Sequence, residues 1–244
     1  MKTDEKRKIY ENYTATVFHK IHQMDGKDFE IYRKVFRKNF LPLLPENHNT
    51  KILDIGCGLG HFLYFLESEG YKNYIGIDVS DENINYCRQR GFNVDKANII
   101  DFITSNVCSY DVIVMNDVLE HFTKSEITWL LDKIYSSMSD RGMLIVKVPN
   151  AANPLLSSYN RYIDFTHEII FTEPSLFQVL ANSGFRHIEI LPNDIYVFTS
   201  NPLNYLAKYF AKSLHLIFRL LFLLHGSKST KIFTKHLIAV AIKD

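Results

Sequence analysis

The chain has 244 residues, of which 46% are hydrophobic and 23% charged, a length that suits one α/β domain with a sizeable core. Its 28 Lys and Arg residues against 27 Asp and Glu residues give no support for a nucleic-acid partner. Its three cysteines, Cys57, Cys87 and Cys108, contain no C-x-x-C pair, which argues against a disulfide framework or a zinc site and is typical of a reducing cytoplasm.

The first part of the chain is predicted to be helical. Apolar residues recur at helical spacing between residues 4 and 40. With the proline-containing linker that follows, residues 1–47 form a predicted helical lid or packing layer. The basic start of the chain lacks an apolar run behind it, so we expect no export signal.

The next stretch, K-I-L-D-I-G-C-G-L-G-H, covers residues 51–61 and predicts a buried strand, a glycine turn and a helix. Its glycines are one residue closer than the dinucleotide motif G-x-G-x-x-G requires, because the third glycine is Gly60. Asp54 would repel a pyrophosphate and attract a cationic amino group. The stretch therefore predicts a partly positive ligand; glycines that serve packing alone are the alternative.

This stretch resembles motif I of the class I S-adenosylmethionine (SAM)-dependent methyltransferases. The resemblance implies SAM as cofactor and an α/β fold with a Rossmann-like seven-stranded sheet, the class I methyltransferase fold, over residues 48–244. It implies cofactor contacts from the strand and its turn, and a further contact from the lid: Asp54, Gly56, Gly58, Gly60 and Tyr13. For Tyr13, a core aromatic on an amphipathic helix is the alternative.

Polar residues also end later predicted strands. Asp78 lies 20 residues past Gly58, where an acid can accept hydrogen bonds from the ribose hydroxyls of an adenosine. The alternative is a helix N-cap, but Ser80 fits that role better. The resemblance implies that Asn98 contacts the adenine amino group, in place of the usual Asp, with the backbone N–H of Ile99 at the ring. It places Asn116 beneath the methionine part of SAM.

The catalytic candidates lie beyond the fourth strand and on a long loop. By the resemblance, His121 in D-V-L-E-H, residues 117–121, would lie near the transferring methyl group. The loop over residues 151–171 is a predicted cover of the acceptor site. In it, His167 is the first candidate for the general base, oriented by Asp164 or Glu168, and His121 and Asp164 are the others. A structural role in the loop is the alternative for His167.

We expect no metal site from the sequence. It contains no H-x-H and no H-x-x-x-H motif, and no paired Asp-Asp strand end.

A basic helical segment separates the predicted sixth and seventh strands. From residue 202 to 244 there are seven Lys or Arg residues against one acid, a net charge of +6, which leaves −5 for the rest of the chain. Residues 202–232 are a predicted helical insert. It would cover the acceptor site, mediate homo-oligomer contact, or lie in a membrane interface with snorkelling basic residues. We expect a cytoplasmic protein, with a peripheral position at the inner membrane as the alternative.

Residues 164–176, D-F-T-H-E-I-I-F-T-E-P-S-L, resemble the acceptor-side region of methyltransferases of bacterial surface-polysaccharide biosynthesis. This implies O-methylation of a sugar, or of a nucleotide-linked or phosphorylated precursor, in a capsule or lipopolysaccharide pathway. A quinone-like or lipid acceptor is the enzymatic alternative. A non-catalytic cofactor-binding subunit and an NAD oxidoreductase are the others.

Overall fold

A computed structural model describes residues 26–105, 109–197, 203–228 and 230–244. The N-terminal half of the predicted lid, with Tyr13, lies outside the described residues, as does Cys108. Everything below concerns the described ranges.

One mixed sheet of seven strands forms the centre of the molecule, in the order β3-β2-β1-β4-β5-β7-β6. Strands β1 to β5 pair in parallel, and β7 runs antiparallel to both β5 and β6. The predicted seven strands are thereby confirmed. They are β1 (Ile52–Ile55), β2 (Tyr74–Asp78), β3 (Val94–Lys96), β4 (Tyr110–Asn116), β5 (Met138–Pro149), β6 (His187–Pro192) and β7 (His236–Ile242).

Helices cover both faces of this sheet, which explains why its central strands are continuous apolar runs rather than alternating patterns. All four residues of β1 are buried. Two 3-10 turns, Leu41–Leu43 and Leu119–His121, complete the described elements. The helices are α1 (Gly26–Asn39), α2 (His61–Ser68), α3 (Asp81–Gln89), α4 (Ile99–Ser105), α5 (Lys124–Ser137), α6 (Ser157–Tyr162), α7 (Glu173–Asn182) and α8 (Leu203–Leu224).

Helix α1, the described part of the predicted lid, packs against α2 and belongs to the hydrophobic core on that face of the sheet. Phe36 meets Phe62 edge to face, with 5.1 Å between ring centroids. Phe40 is fully buried and contacts both rings. Burying aromatic side chains of this kind contributes roughly 1.5–3 kcal/mol each, so this helix stabilises the fold.

Helix ends follow the capping chemistry of the sequence. Ser80 caps α3 by accepting a hydrogen bond from the Asn83 backbone N–H, which confirms that Asp78 is not the N-cap. Thr123 and Glu126 form a reciprocal capping box at the start of α5. That helix ends at Ser137 because the chain enters β5 directly, and the β4–β5 pairing shifts register there.

The predicted insert between β6 and β7 is confirmed as the 22-residue helix α8. Phe218 on this helix packs near Phe233, while most of its large apolar side chains are exposed. Within the described residues no helix combines the length and the apolar character needed to cross a bilayer.

Candidate active site

The carboxyl ends of β1, β2 and β4 meet at one edge of the sheet, and Asp54, the glycine turn, Asp78 and Asn116 lie there. Residue Asp54 pairs with Gly76 of β2 and Val114 of β4. Asp78 and Asn116 are the last residues of those two strands. Such an edge is where open α/β sheets bind ligands.

The glycine turn connects β1 to α2 with three left-handed backbone conformations. Gly56, Gly58 and Gly60 have φ of 72°, 52° and 81°. A Cβ on Gly56 would lie 2.5 Å from Val118 Cγ2, and one on Gly60 would lie 2.8 Å from the Phe92 ring. The glycines thus allow both the turn and the close approach of protein side chains. Packing, the alternative considered from the sequence, accounts for part of their role.

Asp54 is the most unusual group at this edge. It is 1% exposed, and neither carboxylate oxygen has a hydrogen-bond partner in the described structure. Desolvation raises its pKa well above the ordinary value, the charge of Asp78 adds to the effect, and Lys147 opposes it. Because buried polar groups are normally hydrogen-bonded, this carboxyl group is suited to a ligand that donates from a cationic nitrogen.

Asn116 shows the same property at the end of β4, since its side-chain oxygen and nitrogen are buried without a hydrogen-bond partner in the described residues. It offers a ligand both a donor and an acceptor. Asp54 and Asn116 together therefore fit a ligand with the amino and carboxylate groups of an amino acid.

Asp78 and Asn98 already take part in local structure. The Asp78 oxygens accept from Gly58 N at 3.0 Å and from Ser80 N at 2.8 Å, so this residue links the glycine turn to α3. Asn98 is exposed, and its Oδ1 accepts from Ile100 N at 2.8 Å at the start of α4. The ribose contact of Asp78 and the adenine contacts of Asn98 and Ile99 stay predictions.

The loop after β4 meets the predicted cover loop through His121. The Thr166 hydroxyl donates to Asp164 Oδ1 at 2.7 Å and lies 2.7 Å from His121 Nδ1. Since the hydroxyl hydrogen is used, His121 Nδ1 carries a hydrogen and donates it to Thr166, and Nε2 carries the lone pair. Burial, reinforced by the neighbouring His167, lowers the pKa of His121 to about 4. This imidazole is therefore neutral at neutral pH.

His167 lies beside His121, with 4.8 Å between the two ring centroids. Its Nδ1 is 2.7 Å from the backbone oxygen of Asn160, which can only accept a hydrogen bond, so its Nε2 also carries the lone pair. The orienting partner of His167 is thus Asn160 rather than the predicted Asp164 or Glu168. Asp164 instead acts on His121 through Thr166.

Three residues at this site were not predicted from the sequence, and Lys147 is the first. It lies in the apolar run of β5 with a side chain only 10% exposed, and its Nζ is 2.6 Å from Asp117 Oδ2. His236 Nε2 is 3.9 Å from the other oxygen of Asp117, and burial lowers the pKa of this imidazole to about 3. A lysine inside a run that is otherwise apolar was the signal in the sequence.

Glu120 is the third unpredicted residue. It is fully buried, and neither carboxylate oxygen has a hydrogen-bond partner in the described ranges. Desolvation raises its pKa well above the ordinary value, and the charge of Asp117 adds to the rise. One ligand atom each from Glu120, His121 and His167 lies within 4.8 Å of the others. No local sequence motif contains these three residues, because Glu120 and His121 follow β4 whereas His167 lies on the cover loop.

A family model described as a methyltransferase domain matches residues 25–190 of the chain. The chain belongs to this family. The match includes the glycine turn, Asp78, Asn116, His121 and His167, and the cofactor of the class is SAM.

Curated relatives of this methyltransferase domain match part of its length. A carboxy-S-adenosyl-L-methionine synthase of Campylobacter jejuni is 29% identical over 107 residues, which are 40% of this chain and 43% of the relative. A phosphoethanolamine N-methyltransferase of Plasmodium falciparum is 26% identical over 144 residues, 51% of this chain and 53% of the relative. The chain thus spans about half or less of these relatives.

Solved structures agree with the fold of the methyltransferase domain. A SAM-dependent methyltransferase from Archaeoglobus fulgidus aligns with a TM-score of 0.65 at 24% identity, over 88% of this chain and 94% of that one. The magnesium protoporphyrin IX methyltransferase of Synechocystis, with bound SAH, aligns over both full chains with a TM-score of 0.61 at 15% identity. The Rossmann-like seven-stranded fold is confirmed.

Proposed function

We propose that this chain binds SAM at the carboxyl edge of its sheet and transfers the methyl group to a hydroxyl group of a small molecule. The observation that carries the proposal is Asp54, a buried carboxyl group without a hydrogen-bond partner in the described residues, directly before the glycine turn. When bound, SAM supplies a methyl carbon activated by a positively charged sulfur.

The residues of the chain have separate roles in this reaction. Asp54 and Asn116 hold the amino-acid part of the cofactor, and the turn after β1 holds the remainder. On the acceptor side, His167 Nε2 accepts the hydroxyl proton while the oxygen–carbon bond forms and the sulfur–carbon bond breaks. Most of the rate enhancement in such an in-line displacement comes from positioning, to which the Thr166–His121 and Asn160–His167 contacts contribute.

For the acceptor we propose a sugar, or a nucleotide-linked or phosphorylated precursor, in bacterial capsule or lipopolysaccharide biosynthesis. The support is the resemblance of residues 164–176, a segment that supplies Asp164, Thr166 and His167 to the acceptor side. We propose neither a nucleic-acid substrate nor a nucleic-acid partner.

The experiment is incubation with SAM and a panel of nucleotide sugars and sugar phosphates, with mass spectrometry for the gain of one methyl group. We expect His167→Ala to retain SAM affinity and to lose turnover by about 100-fold or more, the usual range for removal of a general base. His187→Ala is the matched control, because that histidine is exposed on β6. Unchanged turnover in His167→Ala would remove it from the proposed role.

A second candidate acceptor is a quinone-like or lipid molecule, which the apolar surface of α8 favours. A cavity of about 330 Å³ beside this helix is almost entirely apolar. It is lined by Pro154, Phe218, Leu221, Phe222, His225 and Ser227. Extraction of copurified lipid, followed by the same mass measurement, separates this candidate from the sugar acceptors. SAM binding without turnover on either panel would favour a non-catalytic subunit.

We also propose a cytoplasmic location with α8 in contact with the inner-membrane surface. The support is the combination of exposed apolar residues with Lys208, Lys212 and Arg219 on one helix. A homo-oligomer through residues 202–225 is the alternative.

A further inference from the structure

We propose that Glu120, His121 and His167 form a binding site for a divalent first-row transition metal such as Mn²⁺, Fe²⁺ or Zn²⁺. No local sequence motif indicates this site. It arises where the 3-10 turn after β4 meets the cover loop, and it contains one ligand atom from each of three side chains within 4.8 Å of one another.

Glu120 is the first independent support for the site. A carboxyl group that is 0% exposed normally has hydrogen-bond donors, a charged partner or a metal, because desolvation without compensation costs several kcal/mol. Neither of its oxygens has a hydrogen-bond partner in the described structure. A cation held between this carboxylate and the two imidazoles would supply the missing compensation.

The contacts behind the two histidines are the second support. His121 Nδ1 bonds to Thr166, which bonds to Asp164, and His167 Nδ1 donates to the Asn160 backbone oxygen. Metal-binding histidines characteristically donate their second ring N–H to a carbonyl, a carboxylate or a group linked to one. Both rings therefore have the tautomer in which Nε2 carries the lone pair for a metal.

The donor set selects the class of ion. Two imidazoles and one carboxylate suit Mn²⁺, Fe²⁺ and Zn²⁺, and leave coordination positions open for other ligands. Magnesium and calcium prefer oxygen ligands, so a site with two nitrogen donors disfavours them.

An open coordination position gives the ion a role in catalysis, and this role rests on the proposed methyl transfer, whereas the site itself does not. An acceptor hydroxyl bound to the metal would lose its proton to water more readily, and the resulting oxygen would form the new bond to the methyl carbon as the bond between that carbon and the SAM sulfur breaks. In that case His167 acts as a metal ligand, and the ion replaces it in activating the hydroxyl group.

The test is metal binding to tag-free, chelator-stripped protein, measured by calorimetry with Zn²⁺ or Mn²⁺ and by the electron paramagnetic resonance signal of Mn²⁺. We expect about one ion per chain. Glu120→Gln and His167→Ala should each weaken binding more than 100-fold. Thr166→Val, which removes only the contact behind His121, should weaken it about 10- to 100-fold. His187→Ala is the control and should bind as the unaltered chain does.

The proposal would be overturned if the stripped chain bound no metal, or if Glu120→Gln and His167→Ala bound metal as tightly as the unaltered chain. If Glu120→Gln lowers the melting temperature, the metal affinities of His167→Ala and Thr166→Val still test the site, because His167 is only half-buried. SAM calorimetry on the same samples separates the two proposals. SAM binding and turnover without metal would remove the catalytic role of the ion alone, whereas metal binding without SAM binding or turnover would remove the proposed function alone.

Discussion

At the scale of single residues, Asp54 and Glu120 are buried acidic groups whose carboxylate oxygens have no hydrogen-bond partner in the described residues. Folded proteins tolerate such groups at sites of function, where a ligand supplies what the chain lacks. Under the proposed function, Asp54 lies on the cofactor side and Glu120 on the acceptor side, which matches two different ligands.

The first prediction concerns Asp54→Asn. Because the folded-state pKa of Asp54 lies well above the unfolded value of about 3.9, the folded chain binds more protons, and its stability falls as pH rises above about 4. The free energy of unfolding should therefore fall less between about pH 5 and pH 8 in Asp54→Asn than in the unaltered chain, as measured by urea unfolding. The same change should weaken SAM binding by at least about tenfold, because an ionic contact is lost.

Asp95→Asn is the matched control, since that aspartate is exposed on β3. An equal effect of the two substitutions on the pH dependence would contradict the prediction. Unchanged SAM affinity in Asp54→Asn would contradict the assignment of Asp54 to the cofactor.

At the scale of elements, the glycine turn is the part of the site that the sequence predicted best. Spacing, strand and helix all follow from local chemistry, because a left-handed turn between β1 and α2 requires glycine. What spacing does not reveal is that Val118 and Phe92 fill the space beside two of the glycines. Phe92 lies 32 residues beyond Gly60 in the sequence, and Val118 lies 62 residues beyond Gly56.

The second prediction uses Gly60→Ala and Gly91→Ala. Both glycines have similar φ, 81° and 83°, so both substitutions cost roughly 1–2 kcal/mol for the left-handed conformation. A Cβ at Gly60 also meets the Phe92 ring at 2.8 Å, whereas nothing lies within 4 Å of one at Gly91. Overpacking of this kind costs roughly 1–3 kcal/mol more.

We therefore expect Gly60→Ala to lower the free energy of unfolding clearly more than Gly91→Ala, as measured by urea denaturation. Equal losses in the two variants would show that the turn relaxes around the added methyl group and that packing imposes no requirement for glycine at residue 60.

At the scale of the whole molecule, α8 is the helix whose large apolar side chains are mostly left exposed by the described residues. Large exposed apolar patches on soluble domains mark contact surfaces. Several large apolar side chains of α8 are more than half exposed, among them Leu206, Phe210, Ile217 and Leu220. Lys208 is held by Asp194 at 2.9 Å, which anchors the start of the helix to the loop after β6.

The third prediction is binding to vesicles that contain anionic lipid, weakened by salt and by the double substitution Leu206→Asp with Phe210→Asp. The physical reason is burial of apolar side chains in the interface, together with attraction of the basic residues to anionic lipid. Trp129→Asp, at a partly exposed position on α5, is the control. Vesicle flotation is the measurement. Failure to float, together with a dimer in sedimentation that the double substitution dissolves, would identify α8 as an oligomer contact.

The sequence alone determined the features that depend on neighbours along the chain. Apolar runs predicted the strands. Glycine spacing together with Asp54 predicted a partly positive ligand, and the resemblance to motif I implied that this ligand is SAM. Asn116 is at the strand end that the pattern indicated, and α8 lies within the predicted insert.

The tertiary structure decided the features that depend on distances through space. Glu120 and His121 meet His167 only because the cover loop folds back on the turn after β4. Lys147 meets Asp117 because β5 pairs with β4, which ends just before Asp117. The pKa of a buried group and the geometry of a ligand set depend on desolvation and separation, neither of which sequence spacing encodes. The sequence thus indicated which class of ligand the glycine turn is suited to bind, and the folded chain determined which side chains of the cover loop and of the turn after β4 meet.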